Sequence, residues 1–204
     1  MSQKCYKCFR PLTTCFCPHI HPVDTGVKFV ILMHPREAYK QKTGTGRLTS
    51  LSLIDSEIII ATQFDDNKRY KELLASDDYY PMVLYPGAEA MNAAECDFSL
   101  KGKGRKLLVF LVDATWIMAR KMVYKTPSLQ TLPRLSFTAA YTSQFHIKRQ
   151  PAEYCLSTIE STYYLIKELQ DAGLSKPGVS VQGLMDVFAL MNKIQLDHKK
   201  NRSI

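Results

Sequence analysis

The chain has 204 residues, 46% apolar and 23% charged, with only 9 Gly and 10 Pro. These figures fit one domain with its own core and exclude a collagenous or wholly disordered chain. Its 27 Lys and Arg against 19 Asp and Glu give a net charge of +8, which suits a polyanion partner or simple solubility. No stretch reaches the ~20 apolar residues of a membrane helix, and residues 1–7 lack the apolar run of a secretory leader. A cytoplasmic, reducing setting is therefore expected, where thiols serve as ligands rather than bridges.

In chain order, the first feature is Cys5-Tyr-Lys-Cys8 followed by Cys15-Phe-Cys17. Two thiolate pairs this close can supply a four-cysteine site, and Zn2+ is the usual occupant. His19 or His21 could replace one ligand, and a redox pair or Fe–S ligation are the competing chemistries. Residues 1–22 are read as a zinc knuckle and 23–204 as the main domain. Residues 27–33 form a continuous apolar run with β-branched residues, the pattern of a strand buried on both faces. Residues 47–54 follow as a helix, 57–61 as a strand, 67–75 as a helix and 81–85 as a strand ending at Pro86-Gly87. Residues 107–112 give the clearest strand and 115–124 a helix. A short strand over 135–137 precedes long amphipathic helices over 153–172 and 181–198. Cys96 and Cys155, each alone, are expected as buried apolar residues. Alternating strands and helices predict an α/β fold, a mostly parallel sheet covered on both faces.

Ligands of such sheets bind beyond the carboxyl ends of the strands. The loops selected are 34–47, Pro86-Gly87, 113–116 and 130–134. Gly44/Gly46 and Gly102/Gly104 fail both the P-loop and the dinucleotide templates, so a nucleoside triphosphate is not expected. Charge is segregated: residues 55–99 hold ten acids and three bases, whereas 101–150 hold ten Lys/Arg and a single acid, Asp113. Asp113 ends the clearest strand and can orient a ligand or accept a proton, with Arg120, Lys121 and Lys125 favouring its ionised form. Alternatively, Asp113 or Thr115 caps the following helix. The only tryptophan, Trp116, stands in the same turn as a core anchor or a stacking platform.

Asp113-Ala-Thr-Trp116 resembles the signature of the DTW-domain family, the tRNA-uridine aminocarboxypropyltransferases. His34-Pro-Arg-Glu37, Thr43 to Leu48, Leu84-Tyr-Pro86, Ala119-Arg-Lys-Met122, Leu132-Pro-Arg-Leu135 and Leu156-Ser-Thr-Ile-Glu160 fall in that family's order, as do the four cysteines. The chain departs at Gly44, where Asn is common, and at Ala114, where Gly is common.

The resemblance implies a SPOUT-like fold with a knotted C-terminal half holding S-adenosylmethionine. It implies transfer of the 3-amino-3-carboxypropyl group to N3 of a tRNA uridine, with release of 5′-methylthioadenosine. Asp113, Thr115 and Trp116 are then the candidate catalytic residues. Thr45, Tyr85, Pro86, Leu132, Pro133, Tyr154 and Thr158 are expected around the cofactor; for Tyr154 and Thr158 a packed helix stripe is the other reading. Arg47, Arg120 and Arg134 would steady the uracil anion or the cofactor carboxylate. With Lys148 and Arg149 they form the expected RNA-binding set, joined by Lys101, Lys103, Arg105 and Lys106 on phosphates. Tyr141, Phe145 and His146 are available for stacking. The target uridine must be unpaired, because N3 lies on its pairing edge. No membrane contact is expected, and a monomer is favoured. The alternatives are an RNA methyltransferase on the same fold and a noncatalytic zinc-bearing RNA-binding module.

Overall fold

The computed structural model describes residues 3–40, 44–96, 104–145 and 155–200, with side chains described through residue 197. Strand β1 (Lys28–Met33) is buried along its whole length, as its run of Phe, Val, Ile, Leu and Met requires. With β2 (Ser56–Ile60), β3 (Tyr79–Leu84), β4 (Lys106–Asp113) and β5 (Arg134–Leu135) it forms one sheet of order β2-β1-β4-β3-β5. Every pairing between these strands is parallel. The helices are α1 (Pro35–Lys40), α2 (Thr45–Leu51), α3 (Lys68–Ala75), α4 (Trp116–Tyr124), α5 (Pro127–Gln130), α6 (Thr158–Asp171) and α7 (Gln182–Lys200). The α/β class and the parallel sheet are those the alternating pattern predicts.

Neighbouring residues of each central strand serve opposite faces of the sheet. Phe29, Ile31 and Met33 join one core cluster with Ile159, Leu165 and Phe188 of α6 and α7. Val30, Leu32 and Phe110 join the other, with Phe64, Tyr70 and Leu73 around α3. Both faces are covered, which is why these strands read as unbroken apolar runs rather than as alternation. Cys96 and Cys155 are buried, as expected.

The segment read as a loop over 34–47 contains α1 and the first turn of α2. His34 starts α1, its carbonyl accepting from Glu37 N at 2.9 Å and its Nδ1 from Arg36 N at 3.0 Å. At six residues, α1 is too short to leave a periodic signal. Helix α6 begins at Thr158 rather than 153, because residues 155–157 are not helical.

The N-terminal segment is anchored to this body. Phe16 is 2% exposed within the first core cluster, and the Arg10 guanidinium lies 4.1 Å above its ring. At the amino edge of the sheet, Lys28 meets Asp55 and Glu57, each at 3.0 Å, and Lys106 meets Asp55 at 2.6 Å. Burial works against the Lys28 ammonium, yet its bonds to Asp55 and Glu57 outweigh that and raise its pKa. Arg105, beside them, donates to Tyr79 O and lies over the Tyr80 ring. These two expected phosphate contacts, Arg105 and Lys106, therefore sit in the amino-edge network, about 20 Å along β4 from Asp113.

Candidate functional site

Strand β1 connects outward to β2, whereas β4 connects the other way, towards β5. Their adjacent carboxyl ends form the switch point at which open α/β sheets bind ligands. Met33 and Asp113 are paired there, and His34 N donates to Asp113 O at 3.0 Å.

Asp113 is only 6% exposed. Thr158, at the start of α6, donates from Oγ1 to Asp113 Oδ1 at 2.5 Å. On the opposite side the backbone of α2 comes very close: a Cβ on Gly46 would lie 2.3 Å from Asp113 Oδ2. Three distant pieces of chain thus fix one carboxylate. Thr115 has the extended backbone of an N-cap but makes no side-chain cap bond, so it does not act as the cap anticipated for this turn.

A cavity of about 590 Å3 opens over this point. Thr45, Tyr85, Pro86, Thr158, Asp113, Thr115 and Trp116 all line it, together with Glu37, which brings a second buried carboxylate. Glu37 ends the His34-Pro-Arg-Glu37 motif, but nothing in the sequence indicates that it faces the site. Leu132 and Pro133, expected around the cofactor, are not on the wall. Leu132 packs against the second core cluster, and Pro133 O accepts from Val83 N at 3.0 Å. Tyr154, Lys148 and Arg149 lie outside the described residues, as do Lys101, Lys103 and His146.

The outer wall is the segment from Ser136 to Phe145, and two glutamates of α6 hold it. Glu168 accepts from Thr138 N at 3.0 Å and from Tyr141 Oη at 2.9 Å. Glu160, with no exposed surface, accepts from Ser143 Oγ at 2.9 Å, Gln144 N at 2.5 Å and Ser157 N at 2.8 Å. The contact to Ser157 is the capping-box reach of the Ser-x-x-Glu pattern, which the sequence displays. The contacts to 138–144 left no such trace. Tyr141 is stacked on Tyr164 at 3.8 Å, and Phe145 packs edge-on to Phe188 at 5.3 Å. Two of the three rings expected to stack on bases are therefore engaged inside the protein.

Of the arginines, Arg47 lies 4.2 Å over the ring of Phe9, and burial is the main influence lowering its pKa. Arg134 lies 5.8 Å from the Tyr85 ring centre and against Gly87. Arg120 is exposed on α4. Burial raises the Tyr85 hydroxyl pKa, while the charges of Arg120 and Arg134 act to lower it. Trp116 is 41% exposed, which rules out a core anchor.

The four thiols of Cys5, Cys8, Cys15 and Cys17 all lie within 4.8 Å of one another. Cys5 Sγ is 3.7 Å from Cys17 Sγ, and Cys8 Sγ is 3.6 Å from Cys15 Sγ. A tetrahedral Zn–S bond of about 2.3 Å requires an S–S edge of about 3.8 Å, so the cluster has the dimensions to hold such an ion. Neither His19 nor His21 belongs to the cluster among the described residues. Hydrogen bonds from the Cys8 and Lys7 amides hold the Cys5 pKa down to about 6. Phe9, just after the first pair, has φ of 58°, a left-handed turn that usually calls for Gly or Asn.

The profile of the DTW domain family matches residues 2–196. A Drosophila melanogaster protein named tRNA-uridine aminocarboxypropyltransferase 2 is 30% identical over 201 residues, which cover 96% of this chain and 76% of that protein. A Mus musculus protein of the same name is 28% identical over 160 residues, covering 77% of this chain and 53% of its own length. No solved structure matches the chain.

Proposed function

The chain belongs to the DTW domain family, and from that premise we propose that it transfers the 3-amino-3-carboxypropyl group of S-adenosylmethionine to N3 of a tRNA uridine. The observation that carries this reading is the buried Asp113 carboxylate at the sheet's switch point, beside a largely apolar cavity of about 590 Å3. Such a cavity is large enough for a nucleoside-sized ligand. Leu84, Leu111, Leu135 and Phe137 offer apolar walls for an adenine, and the carboxylates of Asp113 and Glu37 suit a cationic ligand.

S-adenosylmethionine, when bound, supplies an electrophilic carbon next to a sulfonium that leaves with the bonding electron pair as neutral methylthioadenosine. The chain's own residues prepare the nucleophile. Asp113 takes the N3 proton as the N–C bond forms, and Thr158 holds the carboxylate in line by donating to Oδ1. Thr115 and Trp116 border the reacting base, Trp116 with its half-exposed ring as a stacking surface. Thr45, Tyr85 and Pro86 contribute to the cofactor wall. The knotted C-terminal half belongs to the same reading, since much of the cavity wall comes from the segment after β5 and the start of α6.

Residues 1–22 act as a zinc knuckle on a 23–204 catalytic unit. The protein works as a monomer in the cytoplasm, where the thiols stay reduced. Among the described residues, no helix is long and apolar enough to cross a membrane.

The test is a reaction of purified protein with labelled S-adenosylmethionine and unmodified tRNA. Methylthioadenosine and the modified uridine are expected in equal amounts; adenosylhomocysteine with methyluridine would instead establish the methyltransferase. Asp113→Asn should lower kcat by roughly 10²–10⁴-fold, the usual contribution of a positioned proton acceptor. Full activity in that variant would sink the role given to Asp113.

A further inference from the structure

Helix α4 leaves the mouth of the cavity with an outward face of unusual make-up. Its Ala119, Met122 and Val123 are buried. Trp116, Ile117 and Tyr124 are 41%, 62% and 80% exposed. Residues four apart share one side of a helix, so Trp116, Arg120 and Tyr124 form a single stripe. At 1.5 Å per residue the stripe runs about 12 Å from the cavity mouth. Trp116 is itself part of the cavity wall, so the stripe and the pocket are continuous.

Two features identify what fits this stripe. The first is charge: Arg120, Lys121 and Lys125 are exposed on or just beyond α4, and no acid occurs from residue 114 to 152. The second is chemistry: a cation stands between two exposed rings. A basic surface interleaved with aromatic faces matches a polyanion whose units have π faces, which is single-stranded nucleic acid. Arg105 and Lys106 do not compete for this role, because they are engaged at the opposite edge of the sheet.

We propose that the Trp116–Arg120–Tyr124 stripe of α4 is the track for the single-stranded RNA next to the target uridine. Tyr124 is the stacking platform at its far end, and Arg120 meets the phosphate between the two rings. This rests on the RNA-substrate reading given above, and it adds a binding residue, Tyr124, outside the pocket.

A short single-stranded RNA containing one uridine, with 2-aminopurine beside it, tests this by anisotropy and by quenching of the stacked base. Tyr124→Ala should weaken binding about tenfold and relieve the quenching, whereas Tyr124→Phe should bind as the parent does. Arg120→Gln should weaken binding and reduce the slope against log salt by about one. Ile54→Ala is the control, an exposed apolar residue just before β2 at the amino edge, and it should change nothing. Binding unchanged in Tyr124→Ala, with the parent protein active on tRNA, would overturn the track and leave the transferase reading intact. Failure of the parent to bind the short RNA while it still modifies tRNA would overturn the track alone, and failure both to bind RNA and to modify tRNA would overturn both. A dimer that dissolves in Tyr124→Ala, seen by sedimentation, would make the stripe a self-interface and overturn the track.

Discussion

Gly46 and Gly87 both stand beside a functional side chain, yet a methyl group should be tolerated at only one of them. At Gly87 the nearest atom to an added Cβ is Arg134 Nη1 at 2.6 Å, the far end of a flexible side chain that can swing away. At Gly46 the added Cβ would meet Asp113 Oδ2 at 2.3 Å, Asp113 Cγ at 2.6 Å and Met33 Cε at 2.9 Å. Asp113 cannot yield freely, because Thr158 holds its other oxygen and β4 holds its backbone. Gly46→Ala should therefore either turn the carboxylate out of line or push α2 outward. Overpacking of this kind costs about 1–3 kcal/mol. The expected result in urea denaturation is a loss in that range, with kcat reduced at least tenfold in the protein that still folds. Gly87→Ala should be close to neutral in urea denaturation. A fully active Gly46→Ala enzyme would mean that Asp113 need not sit where it is found. The sequence displayed Gly46 within the Thr43 to Leu48 motif and as half of a failed phosphate-loop pattern; what it contacts depends on β1 and β4 lying side by side.

At the scale of elements, α6 organises the cavity from behind. Its first turn supplies Thr158 to Asp113, and its glutamates Glu160 and Glu168 tie down the wall formed by 136–145. Glu160 makes its bonds with no access to water, so a neutral amide in its place would lose acceptor capacity and introduce a donor. Hydrogen bonds to charged groups are worth about 1.5–3 kcal/mol each. Glu160→Gln should lower the unfolding free energy by roughly the value of one such bond, about 2 kcal/mol, and raise KM for the donor more than it lowers kcat. Equal KM values in the two proteins would show that the wall stands without the clasp.

The strands that carry this arrangement were legible because burial on both faces leaves apolar runs rather than alternation. The Ser157/Glu160 cap is local and stands in the sequence as Ser-x-x-Glu, yet the amphipathic pattern runs on before it and predicts the helix from residue 153. The family resemblance places Leu132 and Pro133 around the cofactor; in the structure Pro133 O accepts from Val83 N and Leu132 packs on the second core cluster. Which face of a loop meets a cavity is a tertiary fact, and the same holds for Glu37 and for the internal stacking of Tyr141.

Across the whole molecule, the four-cysteine segment and the sheet share one hydrophobic core through Phe16. Four thiols at the spacing of a tetrahedral site tie together a segment otherwise held by Phe16 and a few backbone hydrogen bonds, so an ion bound there would add to its folding free energy. That segment reaches the site by two routes: Phe16 enters the core cluster that contains Met33 and Leu111, and Phe9 stacks on Arg47 of α2, next to Gly46. Loss of the ion should release Phe16 from burial, a contribution of about 1.5–3 kcal/mol for a side chain of that size. For a chain of this length each kcal/mol is worth about 2–4 °C, so the melting temperature should fall by roughly 3–12 °C. Calorimetry on the protein as purified and after chelation, with metal content measured alongside, reads this directly. Cys8→Ser/Cys15→Ser should reproduce the shift without a chelator. Removal of a bound metal with no change in melting temperature would separate the knuckle from the core and leave Phe16 to be held by Arg10 and its apolar neighbours alone.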